Sequence, residues 1–133
     1  MNSIIELHDS RVVGIEHSDS SVVVRFGPAY VHRSNGRPGI DSGTGWVQDL
    51  NLIVSEGVLE SNFTELPIEL DGGALCVGSE VFENALPLPF DVRGAVRLSA
   101  MNMHGERLVI QGNRATVVPV GEAQYVEQFP GSK

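Results

Sequence analysis

The sequence predicts an all-β chain: a single antiparallel β-sandwich or flattened β-barrel of about eight strands, with little helix. Alternation is the first ground. In Ser-Val-Val-Val-Arg-Phe (21–26), Val22, Val24 and Phe26 share one face, and Val23 and Arg25 share the other. Punctuation is the second, because 15 glycines and 7 prolines break the chain at short intervals. The third is that no stretch sustains a 3.6-residue period over a dozen residues. The segment 80–86, Glu-Val-Phe-Glu-Asn-Ala-Leu, has room for one or two helical turns at most.

Taken in order, Asp9 and Ser10 fix a turn by side-chain to backbone hydrogen bonds just ahead of a strand over Arg11–Glu16. A turn at His17-Ser18-Asp19-Ser20 leads into the Val22–Phe26 strand. Pro28 lies inside that strand pattern and removes a ladder donor, which predicts an edge or a bulge with the face of Tyr30 and His32 reset after it. A connection from Arg33 to Trp46, 14 residues, then precedes the strand 46–54. There Trp46, Leu50, Leu52 and Val54 share a face. Turns are expected at Asp71-Gly72-Gly73, His104-Gly105 and Gly112-Asn113. The run 84–91, Asn-Ala-Leu-Pro-Leu-Pro-Phe-Asp, reads as an extended crossover rather than a regular internal strand. Val92, Val96, Leu98 and Ala100 point inward on the next strand, and two shorter runs (107–111 and 115–120) follow. Tyr125, Val126 and Phe129 are placed to pin the C-terminal segment onto the core. Nothing divides the chain, so residues 1–133 are expected to form one domain.

Composition narrows the function. Hydrophobic residues make up 41% and charged residues 20%, which suits a soluble globular protein. The net charge of −8, with no basic cluster, disfavours nucleic acid and anionic lipid as partners. No apolar run reaches membrane-spanning length, and the first ten residues lack the pattern of a signal peptide. Cys76 is the only cysteine; in its apolar, small-residue setting it reads as a buried, inert thiol, and a cytoplasmic protein is expected.

Several residues are candidates for a site. Asp41-Ser42-Gly43-Thr44 matches the string that aspartic proteases place around a catalytic carboxylate, and a single copy would require a homodimer. Its lead-in, Gly36-Arg37-Pro38-Gly39, is not the apolar strand such a site needs. Asp41 therefore reads as the cap of its own turn. None of the histidines has the short spacing of zinc ligands, so no metal ligand or cofactor is assigned. Antiparallel pairing of the first two strands would nevertheless bring His8 near His32, with Asp9 and Asp41 close by, in a cluster able to hold a metal or orient a base. No nucleophile elbow and no phosphate loop occurs, so no catalytic residue is assigned. Tyr30 and Trp46 flank the long loop as aromatic contacts for a ligand or partner, and Arg33 opens that loop.

The opening Leu7-His8-Asp9-Ser10, running into Arg11–Glu16, resembles small uncharacterised bacterial proteins that begin with a His-Asp-Ser box. The closing Gly121–Phe129 is similar to their usual ending. Some proteins of this kind are immunity proteins of bacterial toxin systems, so the resemblance implies a role in binding another protein.

The expected function is a non-enzymatic binding or interaction protein, with His8, Asp9, Tyr30, His32, Arg33, Asp41 and Trp46 as binding residues. Its partner is an unidentified protein or small molecule, and exposed strand edges make a homodimer plausible. The alternatives are a calycin-like barrel carrying a small apolar ligand, which needs an unfilled interior around Ala29, Ala95 and Ala100, and an aspartyl- or metal-dependent hydrolase.

Overall fold

The computed structural model describes residues 1–131. These form eleven strands and no helix: β1 Asn2–Glu6, β2 Arg11–His17, β3 Ser21–Ser34, β4 Gly43–Ser55, β5 Val58–Ser61, β6 Ile68–Val77, β7 Glu80–Glu83, β8 Ala85–Leu88, β9 Asp91–Asn102, β10 Arg107–Pro119 and β11 Gln124–Phe129. Every pairing is antiparallel. The path β2–β3–β4–β10–β9–β6 returns to β2, so six strands close into a barrel. The expected all-β class holds, and of its two variants the closed barrel is the one found.

Three long strands do double duty. The first half of β3 pairs with β2 and its second half with β1, while β4 faces β3 along its length. The second half of β4 pairs with β10 and its first half with β11. The first half of β10 carries β5. Beyond the barrel, β8 extends the sheet from β1. Its Pro87 and the following Pro89 lack ladder donors, which an edge strand tolerates.

Leucine, isoleucine and valine fill the barrel interior. Leu50, Leu52 and Val54 of β4 meet Val22 and Val24 of β3, Val96 and Leu98 of β9, Leu108 and Ile110 of β10, and Leu75 of β6, all at most 3% exposed. Burying each such side chain contributes about 1.5–3 kcal/mol. The interior expected of a carrier is thus occupied by side chains. Ala29 and Ala100 are buried in this core, and Ala95 faces outward.

The expectation at Pro28 holds. Pairing of β3 with β4 slips between Phe26 and Ala29, and the buried positions change from Val22, Val24 and Phe26 to Ala29 and Val31. Tyr30 and His32 are thereby turned to the barrel's outer face, which is what creates the site described below. The turns at His17–Ser20 and His104-Gly105 also form, and β2 pairs antiparallel with β3 as expected.

Several expectations need correction. Asp71-Gly72-Gly73 and Gly112-Asn113 are not turns but register slips within β6 and β10, so 107–111 and 115–120 belong largely to one bent strand. Residues 80–86 are extended, not helical, and 84–91 contains β8. The long connection shrinks to residues 35–42, because β3 runs to Ser34 and β4 begins at Gly43. Cys76 is only half-buried. Tyr125 and Val126 are exposed, so β11 is held by its ladder to β4 and by two aromatic contacts, Tyr125 with Trp46 and Phe129 with His32. No helix of the described residues is long and apolar enough to cross a membrane.

Candidate functional site

Outside the barrel, the ends of β1, β3 and β11 and the β1–β2 turn enclose an open cleft of about 600 Å³. Its floor follows from strand register. Glu6 pairs with Tyr30 and Ile4 with His32, so Glu6, Tyr30 and His32 share one face. On the other side of β3, His32 pairs with Gly45, and Gly45 pairs with Glu127. A Cβ on Gly45 would collide with the Tyr30 hydroxyl, so only glycine lets the Tyr30 ring lie across β4 and donate its hydroxyl proton to Glu127 Oε1. Phe129 closes the end with an edge-on contact to His32 at 4.9 Å.

Ser10 sets the β1–β2 turn. Fully buried, it donates to the Glu6 carbonyl at 2.6 Å and accepts from the Tyr30 amide at 3.0 Å, locking the turn to β3. The turn carries His8 and Asp9 to the rim. From above, Gly39 of the 35–42 loop lies against β1: a Cβ there would sit 3.2 Å from Ile4 Cδ1 and 3.5 Å, an ordinary contact, from Glu6 Oε1. Ser34 anchors that loop by donating to the Ser42 carbonyl, and Asn2 by donating to the Gly36 carbonyl.

Charge is concentrated here. Glu6 Oε2 lies 3.0 Å from His32 Nε2 and 3.7 Å from His8 Nε2, and Asp9 Oδ2 lies 3.2 Å from His8 Nε2. Glu69 and Glu127 complete the acidic rim, and among the described residues no arginine lines the cleft. Burial, then the hydrogen bond to Glu127 and the neighbouring carboxylates of Asp9 and Glu6, raise the Tyr30 phenol well above its ordinary value. His32 is 5% exposed, and its buried Nδ1 has no hydrogen-bond partner among the described residues. Glu6, His8 and Asp9 are also the residues able to hold a metal, their ligand atoms lying within 4.8 Å of one another.

Asn84 governs His8. It accepts from the His8 amide at 2.8 Å, which fixes the orientation of its own amide, and its NH₂ faces and donates to His8 Nδ1. The ring proton then rests on Nε2, toward the carboxylates.

The seven residues expected from sequence divide into three places. His8, Asp9, Tyr30 and His32 meet in the cleft. Arg33 and Trp46 lie on the opposite face of the same hairpin, the guanidinium 4.4 Å from the indole centroid, with Tyr125 in a T-shaped contact to the indole at 5.5 Å. Trp46 does share the inward face of Leu50 and Leu52, but at the barrel's open end and only half-buried. Asp41 stands apart from His8 and His32. It accepts from the Arg37 amide at 2.7 Å and from the Arg37 guanidinium, which holds its carboxyl below the ordinary range. It caps its own turn. Sequence reading missed Glu6, Glu69, Asn84 and Glu127. Glu6 ends a short β-branched stretch, Ser-Ile-Ile-Glu, that could have been read as a strand; the others carry no local signal.

No family model, curated protein or solved structure matches the chain. The fold and the site together define a closed six-stranded β-barrel with an acidic, histidine-bearing cleft on its outer face.

Proposed function

We propose that this protein is a non-enzymatic binding protein that receives a positively charged side chain of a protein partner in the outer cleft. One observation carries the reading: four carboxylates, Glu6, Asp9, Glu69 and Glu127, converge on one open site whose lining, among the described residues, includes no arginine. Gathering like charge costs stability unless a cation arrives to offset it. The half-buried rings of Tyr30 and Phe129, packed on His32, add faces against which a guanidinium stacks. The net charge of −8 steers such a partner inward over a long range.

Calorimetric titration with a short arginine-containing peptide tests this. The expected result is one site per chain, weakened as salt rises from 50 to 300 mM, because steering and contact are both electrostatic (on the order of tenfold). Asp9→Asn with Glu69→Gln, both at the rim, should lower affinity by a further factor of about ten, at roughly 0.5–1 kcal/mol per charge pair. Equal affinity in the double variant would place the binding elsewhere.

A further inference from the structure

One corner of the cleft carries chemistry that a basic side chain does not call for. Glu6 Oε2, His8 Nε2 and Asp9 Oδ2 form a one-imidazole, two-carboxylate set, with His8 Nε2 3.7 Å from the first oxygen and 3.2 Å from the second. A tetrahedral ion with bonds of about 2.1 Å holds its ligand atoms about 3.4 Å apart, so the two separations from His8 bracket what a zinc-sized ion requires, and all three ligand atoms lie within 4.8 Å of one another. His8 and Asp9 are about half-exposed, which leaves the remaining positions open to water or a partner group. Behind the set, His32 Nε2 stands 3.0 Å from Glu6 Oε2 and holds that carboxylate in place, as outer partners of metal ligands do.

We propose that Glu6, His8 and Asp9 bind one divalent transition-metal ion of the zinc type, and that Asn84 sets how tightly. The control follows from the imidazole tautomer. Ligation through Nε2 requires the ring proton on Nδ1, the atom toward which Asn84 directs its NH₂. To accept that proton the amide must turn over, and it then loses the bond it receives from the His8 amide. The ion therefore binds against an internal hydrogen-bond cost. An aspartate at position 84 has two acceptor oxygens and takes both protons without turning, giving a carboxylate–histidine–metal relay. Asn84 has φ of 59°, a conformation that aspartate also adopts readily, so the exchange suits the backbone.

The metal site rests on a different donor set from the basic partner proposed above but shares Glu6 and Asp9 with it, so the two ligands compete. The test is calorimetric titration of the full chain with zinc chloride in metal-free buffer, with histidine NMR signals followed in parallel. The expected results are one ion per chain, a shift of the His8 ring resonances, at least tenfold weaker binding in His8→Ala, and binding about 10–100-fold tighter in Asn84→Asp. His17→Ala and His104→Ala should bind as the parent does, and circular dichroism of all variants should match it. No saturable site, or an affinity unchanged by His8→Ala, overturns the site; an Asn84→Asp variant that binds no tighter overturns the role of Asn84. Zinc binding of this kind without any binding of the arginine peptide would keep the metal site and remove the basic partner; the reverse would do the opposite.

Discussion

Gly45 decides more about the cleft than any charged residue in it. Its missing Cβ is the space that the Tyr30 hydroxyl occupies on the way to Glu127. Gly45→Ala is expected to expel the ring, break that bond and destabilise the protein by about 1–3 kcal/mol, as a lost hydrogen bond to a charged group does; urea denaturation measures it. The Tyr30 phenol gives a second check. Its value is raised in the folded chain, chiefly by burial and then by Glu127, so the stability it contributes is fully present below free tyrosine's value of about 10 and is lost as pH rises through the folded value. In Tyr125→Phe, where Tyr30 is the remaining tyrosine, absorbance titration should show a midpoint well above 10. A midpoint at the ordinary value would contradict the Tyr30–Glu127 contact. The histidine pair was legible at this scale because antiparallel pairing alone brings His8 toward His32. Glu127 and Asn84 were not, since Glu127 arrives on β11, 97 residues after Tyr30, and Asn84 in the bend between β7 and β8, 76 residues after His8.

At the scale of elements, the strands were legible and the bends were not. A glycine beside a polar residue between two alternating runs is the same local signal for a hairpin turn and for a bulge. Gly112-Asn113 carries a turn's signal, yet β10 continues through it as a bulge, paired with β9 on both sides of the register slip. A Cβ on Gly112 would sit 2.5 Å from the Ser55 carbonyl oxygen and from Val54 Cγ1. Gly112→Ala is accordingly expected to cost about 1–3 kcal/mol through strain at the β10–β4 contact. A stability change below about 0.5 kcal/mol, the range of ordinary surface substitutions, would show that this approach is not tight. Pro28 was read correctly for the complementary reason: a missing N–H is a property of the residue itself and needs no knowledge of its partners. β1 escaped because five residues with a single fully buried side chain, Ile5, give too short an alternation to stand out.

Across the whole molecule, closure was the open question, and alternation does not answer it: inward-facing residues look the same in a sandwich and in a barrel. What closes the sheet is the short β2–β6 pairing, Arg11 with Glu69 and Val12 with Ile68, between strands far apart in the sequence. The core so enclosed makes a clear stability prediction. Leu98→Ala, at 2% exposure, should cost about 2–5 kcal/mol, whereas Val58→Ala, at 59%, should stay within about 0.5 kcal/mol. Acid should weaken the fold. Asp91, held below its ordinary range by the Arg114 guanidinium, and Glu106, held down by Asn102 and Thr64, contribute stability above the unfolded carboxyl value of about 4 that is lost as pH falls through their folded values.

On the function proposed above, a basic partner meets the outer cleft and not the Arg33–Trp46 face behind it. Amide NMR mapping during addition of an arginine-containing peptide tests this most directly. Shifts are expected to concentrate at Glu6, His8, Asp9, Tyr30, His32 and Glu127, with Trp46 unmoved. Shifts gathered around Arg33, Trp46 and Tyr125, with the cleft unchanged, would contradict it.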